Sequence, residues 1–332
     1  MPTSALTITI PTFQRQAKLL ARVSELLPQM AENDRLVIID NGSKGFEPLA
    51  HAQLRDPRVQ VLVNNANIGG NANIAKCFGE CLTPWMWLLS DDDPVLPGAM
   101  RDIRAEIAAF PDACFIGFLP AQSAPSRPSS RACTGLDEFI AHNDGFEHTL
   151  LMSNCVFNLD ALRGTLSFAH TAIFTNGQHL APVFKALERG ATAVYSSHRV
   201  IEWGEPELNE GWSRAAVYHL LQLPTILDDG AQAARLRRLI ADGLPPPEKF
   251  VAQLCYMRVR HGDDWRIVPF GRQVVHDYLR GRGPVAWMRS WLLRRLISFP
   301  SVFLFLFGTV YRVAKKKALR DFLQDRKFSL YL

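Results

Sequence analysis

Three carboxylates in a row, Asp91-Asp92-Asp93, follow the apolar run Trp85-Met86-Trp87-Leu88-Leu89. Adjacent anions repel one another, and a crevice holds them only if a cation is present. A hard, oxygen-preferring Mg²⁺ or Mn²⁺ carried by a diphosphate suits such donors. The triplet alone reads as well as an acidic turn before the helix that starts near Pro97. A further carboxylate opens Asp40-Asn41-Gly42-Ser43. Asn-Gly is turn chemistry, and an Asp there can also accept hydrogen bonds from a base or ribose. In Asn67-Ile68-Gly69-Gly70-Asn71-Ala72-Asn73 the glycines permit close backbone approach, and the amides can cap a helix or touch a ligand.

The elements that must position these residues follow from periodicity. Short β-branched or apolar runs at 6–10, 36–39, 59–63, 85–89 and 114–119 predict strands. Leu19, Leu20, Val23, Leu26 and Leu27 recur at helical spacing, and the pattern predicts further helices over 71–81 and 98–110. Alternation of this kind predicts an α/β open sheet, mostly parallel, with helices on both faces. Ligands of such sheets bind past the carboxyl ends of the strands. Those ends are Thr12-Phe13-Gln14-Arg15, Asp40 to Ser43, Asn64 to Asn71, and Ser90 to Asp93, all strongly polar. Beyond them come a Pro/Ser-rich loop at 121–131 that reads as a lid, a strand-like run at 150–159, a helix at 178–188 and a last strand at 192–195. Helices are expected at 212–223, 231–240 and 247–260. The expected organisation is a catalytic domain over 1–205, a helical part over 206–280 and a tail over 281–332.

The 332 residues are 48% hydrophobic and 21% charged, which excludes a disordered chain or a small disulfide-stapled one. Net charge is +5, but residues 281–332 hold 11 Lys+Arg against 2 Asp+Glu, a local +9, and the rest is mildly acidic at −4. Six scattered cysteines without a CxxC pair read as reduced thiols. The first residues lack a signal-peptide pattern, so a cytoplasmic location is expected. Residues 296–311 are uncharged but interrupted by Pro300 and Gly308 and short of the ~20 that a spanning helix needs. The basic flanks and the Trp and Phe content predict peripheral attachment to an anionic membrane surface on its inner face. A core helix pair with a solvated basic flank is the other reading. The aromatics form one apolar block rather than alternating with cations, which speaks against nucleic acid.

Taken in order, the four strand-end segments resemble the inverting glycosyltransferases of family 2, which have the GT-A fold. Ile10-Pro11-Thr12-Phe13-Gln14-Arg15 is similar to that family's P-T-[FY]-N-R opening, with Gln14 in place of Asn. Asp40-Asn41-Gly42-Ser43 is similar to its D-[ND]-[GN]-S, and Asn67-Ile68-Gly69 with Asn73 to its N-x-G element. Ser90-Asp91-Asp92-Asp93 with Pro97-Gly98-Ala99 resembles the DxD motif and its sequel. The likeness spans about residues 5–200.

The resemblance implies that Pro11, Thr12, Phe13, Arg15, Asp40, Asn67, Gly69, Asn73 and Asp91 line the nucleotide-sugar site, and that Asp92 and Asp93 hold Mg²⁺ or Mn²⁺. Where the family places a base in a Glu-Asp pair before a helix, this chain has Gln178-His179, which makes His179 the expected base, with Asp93 a further catalytic candidate and Asp144 and Glu147 in reserve. An imidazole suits the task, since its ordinary pKa is near 6.5. His198 resembles a late metal-completing histidine, and Trp203 and Trp212 could stack on sugars or pack helices. The implied reaction is metal-dependent transfer from a nucleotide sugar to a hydroxyl of a lipid-linked glycan, of the O-antigen kind. A nucleotidyltransferase would need a Gly-rich loop after the first strand, and Thr12 to Arg15 has none. A dinucleotide dehydrogenase lacks its GxGxxG for the same reason. A non-catalytic scaffold would rest on Gln178-His179 alone.

Overall fold

The computed structural model describes residues 5–122, 127–203, 216–261, 267–302 and residue 305. The chain divides into two compact units, one of residues 1–205 with 226–232, the other of 206–225 with 233 onward.

The first unit is built on one eight-stranded sheet. Its strands are β1 (Leu6–Thr12), β2 (Arg35–Asp40), β3 (Val59–Val63), β4 (Trp85–Leu88), β5 (Phe115–Pro120), β6 (Arg131–Thr134), β7 (Cys155–Asn158) and β8 (Thr192–Ile201), in the order β3-β2-β1-β4-β7-β5-β8-β6. β1 pairs in parallel with β2 and β4, and β2 with β3. β7 runs antiparallel between β4 and β5, and β6 closes the far edge antiparallel to β8. The helices are α1 (Gln16–Leu26), α2 (Gly70–Gly79), α3 (Ala99–Ala109), α4 (Gly135–Ala141), α5 (Phe146–Leu150), α6 (Leu159–Leu162), α7 (Phe168–Thr171) and α8 (Ala181–Glu188). Leu6, Ile8 and Ile10 of β1 and Leu36 to Ile39 of β2 are all fully buried, the condition that makes central strands read as unbroken apolar runs. The chain leaves β1 for β2 on one side and reaches β4 on the other, so β1 and β4 flank the switch point at which an open sheet forms its crevice.

Some elements differ from the sequence expectation. The run at 150–159 holds the last residue of α5, a 3-10 turn at Met152–Asn154 and only then the four-residue β7, so the strand is confined to its second half. α8 begins at Ala181, after Gln178 and His179. β8 continues to Ile201, and its pairing with β5 shifts register after Gly117. Within the loop at 121–131, residues 123–126 lie outside the described residues, and Arg131 already belongs to β6.

The second unit is helical in its described part. A 3-10 stretch (Ala216–Ile226) precedes α9 (Gly230–Gly243), α10 (Pro247–His261), α11 (Ile267–Leu279) and α12 (Pro284–Leu296). Tyr218, Leu221, Leu236, Phe250, Leu254, Val275 and Leu293 are buried, and the Tyr218 and Phe250 rings lie 4.4 Å apart. A Cβ on Gly271 would come within 2.6 Å of the Leu254 side chain and 3.3 Å of Ile297, so α11 packs closely only because that position is glycine. Trp212 and most of 303–332 lie outside the described residues. Among those described, no helix is long and apolar enough to cross a membrane.

Candidate active site

The site begins at the gap between the ends of β1 and β4. Thr12, the last residue of β1, donates its hydroxyl to Asp91 Oδ2 at 2.5 Å. Gln14 takes a left-handed φ of 56°, and its N–H donates to Ser43 Oγ at 2.6 Å. The tight turn sends Arg15 back over the strand ends, where one guanidinium nitrogen reaches Asp91 Oδ1 at 3.0 Å and Asp92 Oδ2 at 3.1 Å. Burial pushes the Asp91 carboxyl up, and the Thr12 hydroxyl and Arg15 oppose that push without cancelling it. Thr12, Arg15, Asp40, Ser43, Lys44 and Phe46 line a cleft of about 270 Å³. It offers two cations, one buried carboxylate and an aromatic ring, a lining that suits a base and its phosphates. Pro11 is inside β1, in register with Ile39, and Phe13 is half-buried beyond it.

The loop after β2 forms the floor. Asp40 is 1% exposed, and its Oδ2 accepts the Gly42 N–H at 3.1 Å and the Ser43 N–H at 2.8 Å. Gly42 has φ +78°, and a Cβ there would sit 2.9 Å from the Ala66 carbonyl carbon, so this turn admits glycine alone. The close approach brings Asn41 against the next loop. Asn41 Nδ2 donates to Asn67 Oδ1 at 2.8 Å, and Asn41 Oδ1 accepts from the Ile68 N–H at 3.0 Å and from Asn64 Nδ2 at 3.1 Å. Asn64 also donates to Asn73 Oδ1 at 2.9 Å, while Asn73 Nδ2 holds the Ile39 carbonyl at 2.9 Å. Asn67 caps the turn through the Gly69 N–H at 2.8 Å. Asn67 and Asn73 therefore act here by fixing the loop geometry around Gly69, whose φ is +89°.

The three carboxylates point to three different partners. Asp91 faces Thr12 and Arg15, as above. Asp93 is 4% exposed and accepts the Ser153 hydroxyl at 2.6 Å, and the same Ser153 oxygen accepts the Ser90 N–H at 2.9 Å. Asp92 accepts from Ser90 Oγ and Arg15, and its side chain is 22% exposed, the most open of the group. The mutual repulsion that called for a metal is thus met in part by Arg15 and by hydroxyl donors. Among the described residues no three His, Cys, Asp or Glu are arranged to hold a metal ion on their own. His198, expected to join Asp92 and Asp93, instead stands on β8 with its ring 3.8 Å from Asp102 and 3.5 Å from Glu106 of α3. The reason is the length of β8, which carries His198 past the sheet end expected at Tyr195 and alongside α3. A single open carboxylate still fits an ion that arrives on a diphosphate, because Mg²⁺ keeps waters and substrate phosphates as most of its ligands.

The expected bases fare differently. His179 is 4% exposed, and its Nε2–H donates to the Leu150 carbonyl at 2.9 Å, while Nδ1 is buried without a hydrogen-bond partner. Burial pushes its pKa down to about 4 against the Leu150 bond, so the ring is neutral near pH 7. Neither nitrogen is open to a bound hydroxyl, which argues against His179 as the base. Asp144 is gripped by Arg127, Nε to Oδ2 at 2.7 Å and Nη2 to Oδ1 at 2.9 Å. Burial raises the Asp144 pKa, and the Arg127 contacts outweigh it, leaving the group below the ordinary value. Glu147 keeps a side chain 53% exposed. Trp203 is 47% exposed, and its backbone N–H donates to Gln122 Oε1 at 2.7 Å.

A model of glycosyl transferase family 2 matches residues 7–161, from β1 through the start of α6. This segment is a family 2 glycosyltransferase domain. The match takes in Thr12, Arg15, Asp40, the amide loops and all three aspartates, the side chains that the fold gathers. Solved structures agree on the fold. Residues 1–349 of S. aureus TarS match with a TM-score of 0.55 at 11% identity, covering 90% of this chain and 87% of that one. The same protein in complex with UDP-GlcNAc gives 0.58 at 11% identity, covering 90% and 88%. No curated protein matches the transferase in sequence.

Sequence reasoning missed several residues of the transferase. Ser153 anchors Asp93 and also receives the Trp87 indole N–H on its carbonyl at 2.8 Å. Arg127 clamps Asp144 and the Gly117 and Ser196 carbonyls. Asn71 Nδ2 reaches the Ile173 carbonyl at 2.7 Å and Asn176 Oδ1 at 2.5 Å, tying α2 to the segment before α8. A lone Ser or Arg carries no sequence signal for such a role. Asn176 did carry one, as an Asn-Gly pair of the kind that takes a left-handed turn.

Proposed function

We propose that the enzyme transfers a sugar, with inversion, from a nucleotide diphosphate donor to a hydroxyl of a glycan acceptor. The observation that carries this reading is the Thr12–Asp91–Arg15 junction at the β1/β4 switch point, opening on the cleft bordered by Asp40 and Lys44. The base would rest on Phe46 and be read by Asp40, whose Oδ1 accepts no bond from the described residues. Arg15 and Lys44 would face the diphosphate and stabilise charge as it develops on the leaving group. S. aureus TarS binds UDP-GlcNAc, which makes a UDP-sugar the first donor to try.

Asp92 would hold Mg²⁺ or Mn²⁺ together with the diphosphate, and that ion when bound would neutralise the leaving group. In this reading Ser90-Asp91-Asp92-Asp93 is the DxD element, Asp92 supplies the ligand, and Asp91 and Asp93 position it through Arg15 and Ser153. Glu147 keeps the exposed carboxylate among the candidate bases and is the one available to take the hydroxyl proton. The acceptor would be a lipid-linked glycan of a surface polysaccharide, and the basic C-terminal segment would keep the enzyme peripherally bound to an anionic membrane surface.

Thermal-shift measurements with UDP, GDP, CDP and dTDP sugars, each with and without Mn²⁺, test the donor half. One nucleotide should raise Tm in a metal-dependent way, and Asp92→Asn should remove the metal dependence while keeping the fold. Stabilisation by none of the four would contradict the reading.

A further inference from the structure

Helix α12 has two apolar faces, and among the described residues only one of them is covered. Ser290 and Leu293 are buried, as is Ile297 just past the helix end, and these with half-buried Ala286 recur at the spacing of one helical face. That face is fixed from within its own unit. Gly271 of α11 lets Ile297 approach, Arg258 of α10 donates to the Ile297 carbonyl, and Arg272 of α11 donates to the Arg294 carbonyl at 3.2 Å. Arg289 forms a fork with Glu248 of α10.

On the other side, Val285, Trp287, Met288, Trp291 and Leu292 are 50–77% exposed. Val285, Met288 and Leu292 stand at i, i+3 and i+7, and Trp287 and Trp291 at i and i+4, so the five form one contiguous stripe. Phe299, Val302 and Phe305 are exposed as well. Scattered surface hydrophobics need no explanation, but a continuous patch of large ones does. The surroundings indicate what covers it. Residues 281–302 contain Arg282, Arg289, Arg294 and Arg295 and no acidic residue. The Arg295 guanidinium lies 5.8 Å over the Trp291 ring. Apolar chains and indoles beside arginines match the boundary between the headgroups and acyl chains of an anionic bilayer. At 13 residues α12 is about 20 Å long, too short to span a ~30 Å hydrocarbon layer, so it would lie in the plane.

We infer that the Val285–Trp287–Met288–Trp291–Leu292 face of α12 is an in-plane docking surface for an anionic lipid bilayer. The inference rests on the proposed membrane role and locates it: contact is made by this helix, ahead of the uncharged stretch at 296–311 to which the sequence pointed.

Vesicle sedimentation of the full chain tests this, with phosphatidylcholine vesicles containing phosphatidylglycerol and with pure phosphatidylcholine. The wild type should bind the anionic vesicles, more weakly at high salt, with a blue shift of its Trp emission. Trp287→Ala/Trp291→Ala should weaken binding at least about tenfold while leaving Tm and nucleotide-induced stabilisation unchanged, since both rings are solvent-exposed. Wild-type binding that the double variant retains would overturn the assignment to α12 and leave the membrane role standing on other residues. No binding of the wild type to either vesicle would overturn both. Concentration-dependent dimerisation lost in the double variant, without vesicle binding, would assign the face to a second copy of the chain instead.

Discussion

The strand-end cleft and α12 break the usual burial pattern in opposite directions. At the cleft, Asp40, Asp91 and Asp93 are at most 4% exposed, yet each is answered by donors: turn N–H groups, Thr12 with Arg15, and Ser153. On α12, large apolar side chains are left exposed among the described residues. Buried carboxylates must be satisfied or neutral, and exposed apolar stripes must be covered by something, so each region marks a demand that folding alone does not explain. The first demand is met largely inside the protein, which makes a preorganised site. The second is left open, which makes a surface for a partner.

Breaking the answered side gives the largest effect. Asp91→Ala removes the anion that Thr12 and Arg15 face, and it should cost about 3 kcal/mol of stability as well as nucleotide binding, read by chemical denaturation and calorimetry. Arg15→Ala tests the same pair from its more open end and should cost less. Next is His179. An ordinary histidine protonates near 6.5 and the folded His179 at about 4, so between these values the unfolded chain binds a proton that the folded one refuses. Stability should therefore fall by about 3 kcal/mol as pH drops from 6.5 to 4, and His179→Gln should flatten that slope. A kcat/KM profile that loses its acidic limb in His179→Gln would restore the histidine as the base. Gly42→Ala should cost about 1–3 kcal/mol, because the left-handed turn and the contact with Ala66 both resist a Cβ. The smallest effect is expected of Glu147→Gln on the fold: Tm should not move, since the side chain is exposed, while kcat falls with KM for the donor unchanged.

Much of this was legible before folding. Thr12, Arg15, Asp40 and Asp91 follow strands whose apolar runs are easy to read, and parallel pairing brings strand ends to one edge by itself. The residues that went astray depend on lengths that periodicity does not fix. His198 moved because β8 runs on to Ile201, and the i, i+4 pair Asp102 and Glu106 on α3 was a visible sign of its eventual partners. His179 kept its place before α8, but its type said nothing of the burial that makes it a weak base. Asp93 showed its charge and not Ser153, which reaches it from a segment that reads as strand. On α12 the apolar residues were plain in the sequence, and which of them the helix would bury was not.

Calorimetric titration of a UDP-sugar with Mn²⁺ into the wild type, Asp40→Ala and Asp92→Asn decides whether the β1/β4 cleft holds the donor. If it does, one site per chain is expected, with binding weakened about tenfold or more in Asp40→Ala through the lost base contact and the Mn²⁺ dependence lost in Asp92→Asn. Equal binding by all three proteins would place the donor elsewhere than the β1/β4 cleft.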